Sequence, residues 1–153
     1  MAKEIFIEKS VQINCNSSSV FDFVKYAVNM EKYSVWNMAD PDKKTEYTGI
    51  DGTVGFIYRW DSKVKNVGAG EQEIVKIDTG KSIEFALRFE RPMKNTGSSK
   101  ITVITEGENT SRVIWEFRGP TKFPMSLFKG IFEKMLGKDI DKSLMNLKDN
   151  LEK

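Results

Sequence analysis

Hydrophobic and polar positions alternate along most of this chain and change to a helical period near its end. Residues 3–13 place four aliphatic side chains on one phase, with Lys9 as the exception, which predicts a half-buried strand. Asn16 and the serines after it are typical N-cap residues, so we expect a short helix next. A loop or a second short helix should then extend to Asp40-Pro41, because proline disfavours helical geometry in the residue before it.

Between residues 43 and 119 the alternating runs are separated by turn sequences such as Asp51-Gly52, a pattern that predicts consecutive antiparallel hairpins. Three of these runs, at 54–60, 83–90 and 113–117, carry seven aromatic rings on their apolar phases. The first of these phases starts at Val54. Glycines at 68 and 70, inside the apparent fourth strand, predict bulges that bend the sheet. We therefore expect a curved sheet with a broad aromatic inner face and a wet outer face.

Residues 125–151 repeat apolar side chains at steps of three and four, which predicts one helix about 40 Å long. Such a helix cannot bury its apolar stripe alone, and a curved sheet needs a partner for its inner face. The predicted fold class is α+β: a curved seven-stranded antiparallel sheet wrapped around a long C-terminal helix, with one or two short helices after the first strand. This is the helix-grip arrangement.

Composition narrows the classes of function. A length of 153 residues fits a single domain, and a net charge of +2 is too small for a nucleic-acid-binding footprint. The chain has no histidine and one cysteine, Cys15, which removes the common nucleophile pairs and metal sites, so we predict no metal and no cofactor. No apolar run approaches the ~20 residues of a membrane span and no signal peptide is recognisable, so we expect a cytoplasmic protein. We also expect the protein to be a monomer or a weak dimer.

Short sequence motifs along the whole chain carry a resemblance to a known family. The chain resembles the polyketide cyclase/dehydrase and lipid-transport family, within the START-related, pollen-allergen-like (SRPBCC) superfamily. The matching segments are Val11-Gln12-Ile13-Asn14, Tyr33 and Trp36 with Asp40-Pro41-Asp42, Gly49 to Gly55 into Tyr58-Arg59-Trp60, Val67 to Glu71, Phe89-Glu90-Arg91-Pro92, Val113-Ile114-Trp115, Gly119, Gly137-Lys138-Asp139 and Leu144 to Lys148. Their order and spacing, rather than any one of them, make the match.

The resemblance implies a cavity between the terminal helix and the sheet that receives an apolar small molecule. Aromatic side chains suit such a wall, since Tyr and Trp add one polar group that can orient a ligand. The predicted ligand-binding residues are Tyr33, Trp36, Phe56, Tyr58, Trp60, Phe85, Leu87, Trp115, Phe117, Phe128, Phe132 and Leu136. Each of these side chains has the alternative role of filling the core.

No catalytic residue can be assigned from the sequence. A cyclase or dehydratase without cofactor would need a tyrosine, an arginine or a carboxylate of raised pKa inside the pocket. The alternation places Glu84, Arg88, Arg112 and Arg118 on the wet face, where cross-strand charge pairs are expected. Tyr58 and Tyr33 are the better-placed polar groups.

Residues 120–138 mix apolar side chains with Lys122, Lys129, Lys134 and Lys138. This pattern fits two interpretations: the start of a packed helix, which we favour, or a transient contact with an anionic membrane.

Three hypotheses about the function of the protein follow from the sequence. The first is a carrier of a lipid, polyketide-like or aromatic molecule. The second is a cofactor-free cyclase or dehydratase acting through Tyr58, and the third is a protein-interaction module whose cavity is filled by side chains.

Overall fold

The structure is a computed structural model that describes residues 3–91, 94–121 and 129–153. The strands in these ranges are β1 (Lys3–Ile13), β2 (Lys44–Thr48), β3 (Ile57–Asp61), β4 (Ala69–Asp78), β5 (Ser82–Arg91), β6 (Asn95–Gly107) and β7 (Thr110–Thr121). The helices are α1 (Ser17–Val24), a 3₁₀ helix (Ala27–Lys32), α2 (Val35–Met38) and α3 (Lys129–Leu151). The hydrophobic pattern predicts this order of elements.

The strands form one antiparallel sheet of seven in the order β1-β7-β6-β5-β4-β3-β2. All pairs except β1 with β7 are consecutive in the chain, as expected for a meander. The register places alternate side chains on the concave face, where Ile83, Ile101 and Trp115 form one row across β5, β6 and β7. The convex face carries cross-strand ion pairs, such as Arg88 with Glu71 at 2.6 Å. The predicted helix-grip fold is confirmed.

Side chains at the starts of the short helices fix their positions. Asn16 is the N-cap of α1, since its Oδ1 accepts the N–H of Ser19 at 2.9 Å. The 3₁₀ helix is capped from the β2–β3 loop, where the carboxylate of Asp51 accepts the N–H groups of Ala27 and Val28 at 2.8 and 3.0 Å. An anionic group satisfies the free donors at a helix start, so this turn also ties the helical layer to the sheet.

Helix α3 packs chiefly against β1 and runs in the same direction. Two carboxylates hydrogen-bond to this edge strand: Glu133 of α3 accepts the N–H of Phe6 at 3.1 Å, and Glu152, the residue after α3, accepts the N–H of Asn14 at 2.7 Å. The first turns of α3 therefore lie beside the start of β1, and its last turns lie beside the end of β1.

Lys9, which breaks the alternation of β1, lies on the concave phase opposite Trp115. Its side chain passes Gly137 of α3 and its ammonium group lies 3.5 Å from Asp141. A Cβ on Gly137 would come within 3.1 Å of Lys9 Cε, so glycine lets strand and helix approach each other. The lysine stem covers apolar surface while its charge reaches solvent.

Some local predictions were wrong or only partly right. Val54, predicted to begin an apolar strand phase, lies in the turn before β3 and is 60% exposed, because Gly55 at a φ of 101° keeps the chain in that turn. Gly68 precedes β4 and Gly70 lies within it, beside a register shift against β5. Residues 125–128 of the predicted helix lie outside the described residues.

Candidate functional site

One end of the concave face is aliphatic and closed. Ile13, Ile83 and Val113 are fully buried there. They share a core cluster with Val20 and Val24 of α1, which are also fully buried. Close packing of this kind leaves no room for a ligand among these five side chains.

The other end of the concave face, beside the first turns of α3, carries larger and less buried side chains. The inner phases of β3, β5 and β7 supply aromatic rings, and α3 supplies two further apolar side chains. We call this set the aromatic cup: Trp60, Leu87, Phe89, Phe117, Phe132 and Leu136. All except Leu87 are partly exposed. The inner face thus changes from closed to partly open along the sheet.

Glycines on the inner phase let two rings of the cup lie against the sheet. A Cβ on Gly70 would come within 2.9 Å of the Trp60 ring, and Cβ atoms on Gly97 and Gly119 would each come within 3.5 Å of the Phe117 ring. The rings occupy the positions that these side chains would fill. The missing side chains therefore make room for the Trp60 and Phe117 rings on the concave face.

A second aromatic group lies deeper, in the packed core. The ring of Trp115 makes edge contacts with Tyr33 and Trp36 at centroid distances of 5.9 and 6.1 Å. Tyr33 and Phe85 are fully buried, and Trp115 is 3% exposed. Such edge-to-face contacts stabilise the core. Tyr33, Phe85 and Trp115 are too deeply buried to offer a face to a ligand, whereas Trp36 is partly exposed.

The polar groups expected to orient a ligand are mostly bonded within the protein. The indole N–H of Trp36 donates to Asp139 Oδ2 at 3.1 Å, which joins α2 to α3. The indole N–H of Trp60 donates to the carbonyl of Val67 at 3.1 Å, which holds the β3–β4 loop against the cup. Both indoles therefore position loops and helices.

Tyr58 belongs to a polar network under the 3₁₀ helix. Its hydroxyl donates to Glu31, which also accepts from Lys43 Nζ at 2.7 Å and from Asn37 Nδ2 at 3.2 Å. Partial burial raises the pKa of Glu31, but the hydrogen bonds from Lys43, Tyr58 and Asn37 outweigh it and hold that pKa below its usual value. Burial and the neighbouring carboxylate raise the pKa of Tyr58. The network anchors helix to sheet, and its tyrosine keeps its proton.

Tyr33 differs from Tyr58. Its hydroxyl is fully buried and has no hydrogen-bond partner within the described residues. Burial alone raises the pKa of this hydroxyl. Tyr33 therefore retains an unused polar group inside the core.

The charged side chains of the sheet lie outside the cup, as the alternation predicts. Arg88 bonds Glu71 and Glu73 on the convex face, and Arg112 bonds Glu106 at 2.9 Å.

A concavity of about 670 Å³ lies at the β3–β4 loop and is lined by residues that include Lys63, Val64, Lys65 and Arg91. No group of three His, Cys, Asp or Glu residues suited to a metal lies within the described ranges.

Comparison with protein families gives one match that covers almost the whole chain. The model for "Polyketide cyclase / dehydrase and lipid transport" matches residues 5–152. The chain belongs to this polyketide cyclase/dehydrase and lipid-transport family. A comparison with curated proteins finds no match.

Solved structures of the same architecture come from diverse sources. Truncated norcoclaurine synthase from Thalictrum flavum is 12% identical, with a TM-score of 0.72 over 98% of this chain and 94% of that chain. The Zhui aromatase/cyclase from Streptomyces sp. R1128 is 11% identical, with a TM-score of 0.71 over 98% and 94%. A START superfamily protein from Mycobacterium smegmatis is 11% identical, with a TM-score of 0.66 over 96% and 97%. At these identities the likeness establishes the fold.

Within this family fold, the predicted ligand-binding residues separate into two groups. Tyr33, Trp36, Phe56, Tyr58, Phe85 and Trp115 pack in the core or at its helical cover. Trp60, Leu87, Phe117, Phe132 and Leu136 lie in the aromatic cup, and Phe128 lies outside the described residues. Phe89, 6.0 Å from Trp60, completes the cup but is absent from the predicted set. Its shared phase with Phe85 and Leu87 was the signal that could have found it.

The described helices of this family member differ from a membrane span in length or in hydropathy. None in the described part of the chain is both long and apolar enough to cross a bilayer.

Proposed function

We propose that this protein binds or carries a hydrophobic small molecule in the aromatic cup, between the sheet and the first turns of α3. The observation that carries the proposal is the change along the concave face from fully buried aliphatic side chains to partly exposed aromatic ones. Family membership supports the same conclusion at a coarser level.

The physical argument concerns surface that can still be buried. Rings that are already enclosed gain little from a ligand, whereas the half-buried rings of Trp60, Phe89 and Phe117 gain about 25 cal/mol for each Å² removed from water. Aromatic faces accept flat or edge-on apolar partners. A lipid chain, a polyketide-like molecule or an aromatic compound each meets these requirements.

Two parallel measurements test occupancy and location. Native mass spectrometry with denaturing solvent extraction looks for a small apolar molecule that is retained during purification. Titration with the fluorescent probe 8-anilinonaphthalene-1-sulfonate then compares the parent with Phe117→Ala and Phe6→Ala. Phe6 is 37% exposed on the convex face beneath the guanidinium of Arg118, so it is a matched aromatic control.

We expect Phe117→Ala to weaken probe binding about tenfold, which corresponds to about 1.4 kcal/mol, and Phe6→Ala to leave it unchanged. Equal affinities in all three proteins, with no extractable molecule, would reject the cup as the binding site. They would instead favour the interaction module with a filled cavity.

Catalysis is a second candidate, supported by the contact between Tyr58 and Glu31 beside Lys43, whose side chain is 4% exposed. A cofactor-free cyclase or dehydratase would use this tyrosine hydroxyl to polarise a carbonyl. With a polyketide-like substrate, Tyr58→Phe would then lower kcat, whereas unchanged turnover would remove Tyr58 from the mechanism.

A further inference from the structure

The solvent-facing side of α3 mixes apolar and basic side chains. Ile131, Met135 and Met145 are 60%, 56% and 50% exposed. At 3.6 residues per turn, seven exposed residues of α3 fall within about 100° of arc: the acidic Asp149 in the last turn, and six apolar or basic residues before it. These six form what we call the outer stripe of α3: Ile131, Lys134, Met135, Lys138, Lys142 and Met145. The solvent-facing side of a helix is ordinarily polar, so the exposed isoleucine and methionines of this stripe call for an explanation.

The lysines of the outer stripe pair with no carboxylate in the described residues, and the acidic residue of this face, Asp149, lies about two turns beyond Lys142. The nearest acidic residues of the helix are engaged elsewhere: Asp139 bonds Trp36, and Asp141 pairs with Lys9. Within the described residues, no ion pair involves a lysine of the stripe. The stripe thus combines apolar contact area with free positive charge.

A second element of the same kind lies at the open end of the sheet. Val64 is 47% exposed between the exposed lysines Lys63 and Lys65 in the β3–β4 loop. This loop is tied to the aromatic cup by the hydrogen bond from Trp60 to Val67. Apolar and basic side chains therefore occur together both on the solvent side of α3 and on the β3–β4 loop.

We propose that the outer stripe of α3 docks the protein on anionic lipid bilayers, with the β3–β4 loop as a second contact. Apolar side chains of such a surface enter the boundary between headgroups and acyl chains, while lysines are attracted to the negative leaflet. The inference rests on the proposed function and adds the source of the ligand: the cup exchanges its molecule with a membrane.

A second copy of the chain fits the stripe less well. Two copies meeting on it would bring their lysines together, and like charges oppose association. Three apolar side chains on one helix also fall short of the ~800 Å² that each partner of a stable complex buries. The charge and the small apolar area favour a lipid surface.

Vesicle flotation tests this proposal directly. The protein is mixed with phosphatidylcholine vesicles that contain either no anionic lipid or about 30% phosphatidylglycerol, at low and at high ionic strength. We expect binding to the anionic vesicles alone, weakened by salt. Inorganic phosphate at matched ionic strength should not compete, because the bilayer rather than a free anion is bound.

Paired variants identify the surface. Lys134→Gln/Lys138→Gln/Lys142→Gln should weaken vesicle binding about a hundredfold, at roughly fivefold for each lysine, and Ile131→Ser/Met135→Ser at least tenfold. Ile50→Ser and Lys44→Gln are controls, since Ile50 is 74% exposed and Lys44 is exposed on β2. The controls should bind vesicles as the parent does.

Each contrary result has a definite meaning. Absence of binding to anionic vesicles at low salt, or equal losses in the control variants, would overturn the proposal. A dimer in vesicle-free sedimentation that Ile131→Ser/Met135→Ser converts to monomer would assign the stripe to a second copy. Probe titration without vesicles separates the two proposals, because the cup can bind its ligand while docking fails, and docking can persist while the cup stays empty.

Discussion

The indole ring of Trp60 lies against the backbone of Gly70, its registered partner across β3 and β4. A Cβ at position 70 would come within 2.9 Å of the ring and within 2.5 Å of the Arg88 carbonyl oxygen. Neither the strand backbone nor the ring, whose N–H bonds Val67, can move away easily. The glycine therefore sets how far this ring projects into the aromatic cup.

Gly70→Ala should destabilise the protein by about 1–3 kcal/mol and alter probe binding, because the new methyl group displaces the Trp60 ring. Urea unfolding and tryptophan fluorescence measure the two effects. Gly130→Ala is the matched control, since a Cβ at position 130 of α3 meets no described residue within 4 Å. That change should be neutral or stabilising by up to about 1 kcal/mol. Equal unfolding free energies for both variants would contradict the assigned contact.

Tyr33→Phe and Tyr58→Phe remove the same hydroxyl from different surroundings. The Tyr33 hydroxyl is buried without a partner in the described part of the chain, so its loss should leave stability unchanged or raise it by about 1 kcal/mol. The Tyr58 hydroxyl donates to the carboxylate of Glu31, so its loss should cost about 1.5–3 kcal/mol. Denaturant midpoints compare the stabilities of the two variants with that of the parent. Destabilisation by Tyr33→Phe would indicate that the Tyr33 hydroxyl has a hydrogen-bond partner.

Glu31→Gln should destabilise the protein at neutral pH by about 1–3 kcal/mol. This is less than the 3–5 kcal/mol of a fully buried pair, because 34% of the Glu31 side chain is exposed while Lys43 is almost enclosed. The pKa of Glu31 is lowered in the folded protein, so its contribution is complete above the ordinary value of 4.5 and is lost as the pH falls through the folded value.

The difference in unfolding free energy between parent and Glu31→Gln should therefore shrink as the pH falls below about 4.5. Urea unfolding at a series of pH values measures it. Glu108→Gln, in the exposed β6–β7 turn, controls for removal of one surface charge. A difference for Glu31→Gln that is constant from neutral to acidic pH would contradict the network.

Glu133→Ala should speed exchange of the Phe6 amide proton by about tenfold, because that N–H loses its acceptor on α3. Glu152→Ala should likewise speed exchange of the Asn14 amide proton and leave that of Phe6 unchanged. Each variant is the control for the other, and amide hydrogen exchange followed by NMR reads both sites. Unchanged protection at both amides would mean that α3 does not hold the edge of β1.

Much of the fold could be predicted because local patterns agree with one another. Period-two alternation identified the strands, and the N-cap at Asn16 marked α1. The pattern failed where backbone conformation overrides side-chain character. Val54 is apolar, but Gly55 beside it has a positive φ and keeps it in a turn.

The candidate site was less predictable, because alternation gives the face of a side chain and not its depth. Phe85 and Phe117 share the inner face, yet Phe85 is fully buried and Phe117 is partly exposed. The difference depends on where α3 lies along the sheet, a long-range property. The partners of Trp36 and Tyr58 are also distant in sequence, at Asp139 and Glu31.

The hydrogen bonds from β1 to Glu133 and Glu152 bear on how a ligand of the proposed cup would enter. Swinging the helix outward would bare the amides of Phe6 and Asn14, and an uncovered strand can recruit another chain. Exchange through the open end of the sheet, with the helix seated, avoids that hazard. Shortening the chain before Glu152 would likewise leave the Asn14 N–H without its acceptor, and unpaired strand edges favour aggregation, so we expect the truncated protein to aggregate more readily than the parent.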